Sequence, residues 1–300
     1  MRPLKFQSLL AVQIQNFINL RRFSGTDYQS QAQLLGYFDR FLVEEHLVEP
    51  RITRKIVDRY LGSLSHLAPR TRLNRFCVVK QLCQYLTRND PLGYVPDPLR
   101  AISSRGAHQP YIYSNSQLQT LMAVASQLAP ENSLRPHTYR TLLGLLYSTG
   151  IRIGEASALN LEHLHSEEQM LYIAKGKFRK ARWVPLSDST CQALQQYRRK
   201  RLQMSPRSPD SPFFINQRSC RLHHCTVNQT FRHLLRQCNI HHNKHTGPRI
   251  HDIRHTFAVH RLLAWYRDGQ DVNHGFHGSQ PIWAMWISIP LKFTCALHRN

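Results

Sequence analysis

His251 and Arg254 stand three residues apart in the stretch Ile250-His251-Asp252-Ile253-Arg254-His255-Thr256-Phe257-Ala258-Val259-His260. Residues at that spacing on a helix are neighbours on one side. Apolar residues at Ile253, Phe257, Val259, Leu262 and Leu263 recur at roughly a helical period, so a helix is predicted here. A proton-transfer group and a fixed cation would then face one direction. An imidazole titrates near neutrality and a guanidinium offers a two-pronged grip on non-bridging phosphate oxygens, so the pair suits phosphate chemistry. By itself a His-x-x-Arg spacing is common, and an ordinary helix N-terminus accounts for it as well.

Composition points to the same kind of substrate. Forty Lys and Arg against eighteen Asp and Glu give a net charge of +22 and an isoelectric point near 10.3. A field of that sign attracts a polyanion, and nucleic acid is the leading partner. At 300 residues and 41% hydrophobic composition the chain is long enough for two globular domains, and no disordered or fibrous class is indicated. The N-terminal stretch is interrupted by Gln7, Gln13, Gln15 and Asn16, unlike a secretory signal, and no run approaches membrane-spanning length. A cytoplasmic protein without membrane contact is expected. The seven cysteines are odd in number and scattered, as reduced thiols are. Cys220-Arg221-Leu222-His223-His224-Cys225 has zinc-ligand types, but four ligands within six residues cannot readily wrap one tetrahedral ion, so no metal is expected.

The elements that must position these groups are mostly helices. Apolar periodicity predicts helices over 4–22 and 28–46, with Thr26 or Asp27 capping the second. A third is expected at about 53–65, opened by Thr53, and a fourth at about 70–88. The fourth combines Leu73, Phe76, Val79 and Leu82 with a basic flank of Arg70, Arg72, Arg75 and Lys80, a candidate phosphate contact. The proline-rich 89–98 segment and the Ser103 to Pro110 stretch mark a linker, ending the first domain near residue 105. Ser114-Asn115-Ser116 should cap a helix to about 129, followed by one over 134–148 that ends at Ser148-Thr149-Gly150. Met170 to Lys175 and Arg182 to Leu186 read as two strands joined by a turn holding Lys175, Lys177, Arg179 and Lys180. A helix capped by Ser187-Asp188-Ser189, a short strand at Phe213-Phe214-Ile215 and a helix over Thr226 to Gln237 complete the pattern.

Arg152 in Gly150-Ile151-Arg152-Ile153-Gly154-Glu155-Ala156, a lysine on a hairpin tip, and His251 with Arg254 follow one another in an order that strongly resembles the tyrosine recombinases, the integrases of phages, integrons and transposons. The likeness runs from about residue 4 to residue 273. It implies a mainly α fold with a small antiparallel hairpin or sheet in two domains. These are a helical, SAM-like core-binding domain over 1–105 and a tyrosine recombinase catalytic domain over 106–273. It also implies roles. Arg152 and Arg254 would clamp the scissile phosphate, and Glu155 would hold Arg152 in place. Lys175, with Lys177 as the alternative, would protonate the departing 5′ oxygen, and His251 would perform acid–base work. Lys177 and Arg179 join the DNA contacts. No metal or other cofactor is needed, because the arginines do the charge work. The expected partner is double-stranded DNA, gripped by a tetramer, with strands broken and rejoined through a 3′-phosphotyrosine.

The resemblance stops at residues 274–300. The family pattern there requires Leu-Gly-His or Leu-Gly-Trp and then a tyrosine about nine residues later, and neither is present. The last tyrosine, Tyr266, lies twelve residues after Arg254, roughly 18 Å along a helix, and reads as a packing residue. No nucleophile is therefore assigned. Back-translation offers a cause. Gln280 to Trp286, written CAA CCT ATC TGG GCC ATG TGG and read from the third nucleotide, gives Thr-Tyr-Leu-Gly-His-Val. In the same frame Lys292 to Cys295, written AAA TTT ACC TGC, gives Ile-Tyr-Leu, with its tyrosine nine residues after that histidine. The expectation is a frameshift near residues 273–274. Two functions follow: a recombinase or integrase of a mobile element, or an inactive integrase remnant that only binds DNA. A helix-turn-helix repressor would leave Arg152, the hairpin lysine and His251 without a role.

Overall fold

A computed structural model describes residues 5–88, 90–99, 109–174, 181–204, 208–241 and 247–269. They fall into two compact units, Met1–Ala107 and His108–Asn300. The fold is mainly helical, with one small antiparallel sheet.

The first unit packs α1 (Ala11–Phe23), α2 (Gln29–Glu44), α3 (Arg54–Ser63) and α4 (Pro69–Leu86) around Ile14, Phe17, Leu35, Phe38, Val57, Phe76, Val79 and Leu82. Thr53 caps α3 by accepting the Ile56 N–H, as its position predicts. Two expectations fail here. Helix α1 begins at Ala11, because residues 7 and 8 are instead tied to α2: the buried Asp39 carboxylate accepts the Gln7 and Ser8 N–H groups at 2.7 and 3.1 Å and the Ser8 hydroxyl at 2.6 Å. Neither Thr26 nor Asp27 caps α2. Its N-cap is Tyr28, held left-handed at φ 49, while the Thr26 hydroxyl donates back to the Arg21 carbonyl and closes the end of α1.

In the second unit the central element is α6 (Leu134–Thr149). It buries Leu142, Leu143, Leu145, Leu146 and Tyr147 and packs against α5 (Asn115–Ala125), α8 (Asp188–Met204) and α10 (Asp252–Arg267). A helix apolar on most sides belongs inside a domain. Ser114 opens α5 with a full capping box through Gln117. After α6 come α7 (Ile153–Ser157), a short 3-10 turn (Leu161–His163) and strands β1 (Leu164–His165), β2 (Met170–Ile173) and β3 (Arg182–Pro185), in the antiparallel order β1-β2-β3. The register pairs Leu171 with Val184 and Ile173 with Arg182. Leu164, Leu171, Ile173 and Val184 lie buried on one face, and Tyr172 and Trp183 stack on the other at 4.9 Å.

Helix α9 (His224–Gln237) packs on α5. Phe213-Phe214-Ile215 is buried but forms no strand. Isolated bridges at Asn160–Pro212 and Ile215–Arg221 flank it, because the three side chains all enter the core instead of alternating. Two arginines serve this loop region. Buried Arg201 donates to the Pro212 carbonyl, and Arg221 donates to the carbonyls of Ser157 and Leu159. Part of the basic composition is therefore structural. No helix among the described residues is long and apolar enough to cross a membrane.

Helix α10 is fixed against α6 by the Tyr147 hydroxyl and His260 Nδ1 at 2.8 Å. Burial, with Arg267 nearby, holds the His260 imidazole below its usual range, and burial does the same at His137 and His163. An imidazole whose folded-state pKa is depressed contributes stability that is present above its unfolded pKa of about 6.5 and is lost as pH falls through the folded value. The melting temperature should therefore drop between about pH 7 and pH 5.5, and His260→Gln should flatten that drop. Parallel profiles for the two proteins would show that His260 contributes nothing.

Candidate functional site

The chain reverses direction at Gly150. This residue ends α6 in the left-handed conformation at φ 62, and its N–H closes on the Leu146 carbonyl. A side chain is impossible there on two grounds. The φ is one that only glycine adopts freely, and a Cβ would come within 2.2 Å of the Phe257 ring of α10. The close approach serves Arg254, one turn earlier on α10, whose Nη1 donates to the Gly150 carbonyl. The start of α10 is held independently. Asp252, fully buried, accepts the Arg249 N–H at 2.8 Å, and the Thr256 hydroxyl accepts the Tyr113 N–H at 3.0 Å.

Two residues past Gly150, Arg152 is the N-cap of α7. Glu155, in the first turn of that helix and 4% exposed in its side chain, accepts the Arg152 N–H at 2.9 Å and Arg152 Nη1 at 3.0 Å. A second guanidinium reaches the same carboxylate from β3: Arg182 Nη1 donates to Oε1 at 3.1 Å and Nη2 to Oε2 at 2.7 Å. These contacts hold Glu155 below the usual carboxylate range although its burial acts the other way. Arg254 is close enough to this group for its pKa to be pushed down to about 10, first by burial and then by the charges of Arg152 and Arg182. Two guanidiniums thus bond one carboxylate, and a third lies within its electrostatic reach. Such a cluster is built to receive an anion.

His251 is the N-cap of α10 and is exposed, with its ring 5.1 Å from that of His255. Desolvation lowers its pKa, as do the His255, Arg254 and Arg249 charges, while Asp252 opposes them. A neutral imidazole results at neutral pH, able to accept or donate a proton. The apolar stripe of α10 differs from the expected one. Ile253 and Phe257 are buried, but Leu263 is 45% exposed and the inward positions go to Arg261, stacked on Phe257 at 5.6 Å, and Trp265. Tyr266 is not a packing residue: it is 68% exposed.

Lys175, Lys177 and Arg179 lie outside the described residues, and β2 and β3 lead into that segment from Ile173 and Arg182. In the first unit, Arg70 is exposed on α4 and Arg72, Arg75 and Lys80 are half-buried. Arg75 lies 4.5 Å over the Tyr37 ring, which Arg40 also approaches at 5.0 Å. That stacked pair extends the basic flank to α2. Cys220 and Cys225 are free and exposed, and no metal-ligand cluster occurs among the described residues.

Sequence reasoning missed Arg182, read only as the first residue of a strand. Strand alternation carries the signal: Arg182 shares a face with Val184, and a cation on a buried face requires an acid opposite it.

A helical domain that gathers its cations where a helix end, a hairpin and a second helix meet is the architecture of a protein that handles phosphodiesters. Residues 113–266 match the phage integrase family, and the chain belongs to that family, the tyrosine recombinases. It is 33% identical over 267 residues to the Sinorhizobium fredii protein y4rB, described as an integrase/recombinase, covering 86% of this chain and 83% of that one. The tyrosine recombinase XerC of Chlamydia caviae is 30% identical over 213 residues, covering 68% and 62%. The fold is that of the Tn1549 transposon integrase in complex with transposon right end DNA, with a TM-score of 0.62 at 15% identity, covering 84% and 87%.

Gly150→Ala combines a left-handed residue with a clash against Phe257 and should cost about 2–5 kcal/mol. Chemical denaturation measures it. A loss under about 0.5 kcal/mol would mean that the Gly150–Phe257 approach relaxes freely.

Proposed function

We propose that this chain is built as the site-specific recombinase of a mobile element, with the Arg152, His251 and Arg254 part of the phosphate clamp in place and with neither the Leu-Gly-His (or Trp) group nor the tyrosine nucleophile in its present reading frame. Arg152 and Arg254 grip the scissile phosphate, and Glu155 holds Arg152. Lys175, or Lys177, protonates the leaving 5′ oxygen, and His251 exchanges the proton of the attacking hydroxyl. The core-binding domain over 1–105 contacts the duplex through Arg70, Arg72, Arg75 and Lys80, and the hairpin adds Arg179. The catalytic domain spans 106–273, and 274–300 is the displaced frame. The working assembly is a tetramer on two duplexes, acting in the cytoplasm where the DNA lies.

The observation that carries the reading is the convergence of Arg152, Arg182 and Arg254 on the surroundings of Glu155 from three elements, with His251 at the N-cap of the element that bears Arg254. Family membership makes phosphodiester transfer the chemistry that charge serves. The Tn1549 integrase, which shares the fold, is seen bound to a transposon end, in keeping with a mobile-element role. The absence of any tyrosine after Tyr266 favours a second reading for the chain as translated, a protein that grips DNA without cutting it.

A nicked suicide duplex carrying the element's own end, which releases its cleaved strand, separates the readings. The chain as translated should bind with a steep salt dependence and give no covalent adduct; the same gene shifted by one nucleotide near codon 273 should give one. An adduct from the unaltered chain would show that its nucleophile is present. A frame-restored protein that binds without forming an adduct would leave only the DNA-binding remnant. Weak, salt-insensitive binding would overturn both readings.

A further inference from the structure

We infer that Arg182 is a positioning residue of the clamp: it holds Glu155 in the orientation that aims Arg152, and it ties the base of the lysine-bearing hairpin to the same carboxylate. The inference rests on the clamp reading above and adds to it a member from a different element.

The argument begins with the sheet. Ile173 and Arg182 are register partners at the end of the β2–β3 pair from which the connecting segment leaves, and two residues beyond Ile173 the sequence reaches Lys175. Arg182 stands on the face that buries Leu171, Ile173 and Val184, and its side chain is only 21% exposed. A guanidinium there is costly unless it meets an acid. It meets Glu155 end-on, one Nη on each oxygen. Each carboxylate oxygen thereby accepts two donors: Oε1 takes Arg152 Nη1 and Arg182 Nη1, and Oε2 takes the Arg152 N–H and Arg182 Nη2. That four-bond pattern fixes both the plane of the carboxylate and its rotation.

The consequence for Arg152 is geometric. Its backbone N–H and one Nη are engaged by Glu155, and its side chain remains 37% exposed, open to a substrate. Without Arg182, Glu155 would keep only its Arg152 contacts and could rotate, and Arg152 would rotate with it. Without Arg182 the carboxylate would also be a buried acid with half its donors removed, and burial then favours its protonated form. Among the described residues the charged groups that act on it are Arg152 at the start of α7 and Arg182 on β3, with Arg254 on α10 in electrostatic reach. One strand residue therefore sets the charge state and the aim of a group on α7. It does so from the strand that leads out of the lysine segment, so clamp and hairpin share an anchor.

The test uses the full chain with inorganic phosphate as the probe for the clamp and carbon-13 NMR of the Glu155 carboxyl as the probe for the positioning contact. Arg182→Gln should raise the Glu155 titration by a unit or more and weaken phosphate-dependent thermal stabilisation at least tenfold. The acidic limit of phosphate binding should rise in step with the carboxyl titration. Arg182→Lys, which keeps the charge and one donor direction, should restore part of both effects; it also serves as the readable variant if the glutamine protein does not fold. A merely structural role would lower the melting temperature without moving the carboxyl titration or the acidic limit. An unmoved Glu155 titration, or a moved titration with unchanged phosphate binding, overturns the inference. If the wild type and Arg152→Gln respond alike to phosphate, the clamp reading itself fails and the inference falls with it.

Discussion

A carboxylate removed from water keeps its charge only where donors replace the lost hydration, and Glu155 is such a group. Its two oxygens accept from Arg152 and Arg182, and Arg254 lies within electrostatic reach. The three arginines come from positions far apart in the chain: the turn after α6, the first residue of β3, and the first turn of α10. Like charges so close would repel one another. The buried Glu155 carboxylate offsets that repulsion for Arg152 and Arg182, which bond it directly. An unpaired acid at this depth would be destabilising, and an unpaired trio of arginines would not assemble.

Packing sets where those arginines stand. Helix α6 is buried on most of its surface, so its C-terminal end is fixed by the core, and Gly150 turns the chain at that end. The missing side chain at Gly150 admits the Phe257 ring, and the Phe257 contact sets the depth of α10. Arg254, one turn before Phe257, then meets the Gly150 carbonyl. Asp252 and Thr256 hold the same helix through Arg249 and Tyr113. The site is therefore a consequence of hydrophobic packing at one helix end, and substitutions that touch no charge can still disorder it.

How much of the fold the sequence makes legible follows from the range of its signals. Helices α2 to α6 and α9 carry apolar residues at helical spacing, and local caps at Thr53 and Ser114 mark their starts, so both were legible. The pairing of Arg152 with Glu155 was legible through the family resemblance that the order of motifs carries. Local pattern fails where a distant partner decides. Asp39 delays the start of α1, Tyr28 takes a left-handed cap because Thr26 bonds backwards, and Phe213 to Ile215 enter the core together without forming a strand. On α10, Arg261 occupies an inward position that hydropathy would give to a leucine, because its guanidinium lies over the Phe257 ring while Leu263 turns outward. Arg182 was missed for the same reason: its meaning lies in Glu155, 27 residues earlier in the chain.

Gripping a phosphodiester and breaking it are separable tasks, and the proposed clamp residues serve the first. Charge, hydrogen-bond donors and a neutral imidazole come from Arg152, Arg182, His251 and Arg254, on elements packed around the core of one unit. The attacking hydroxyl must come from elsewhere. Tyr266 continues α10 about 18 Å beyond Arg254 and is exposed, so the helix that aims the clamp does not by itself deliver a nucleophile to it. A change of reading frame after α10 would remove that hydroxyl and leave the packing of α6, β3 and α10 untouched. Such a protein would keep Glu155 and its arginines, which all precede the change.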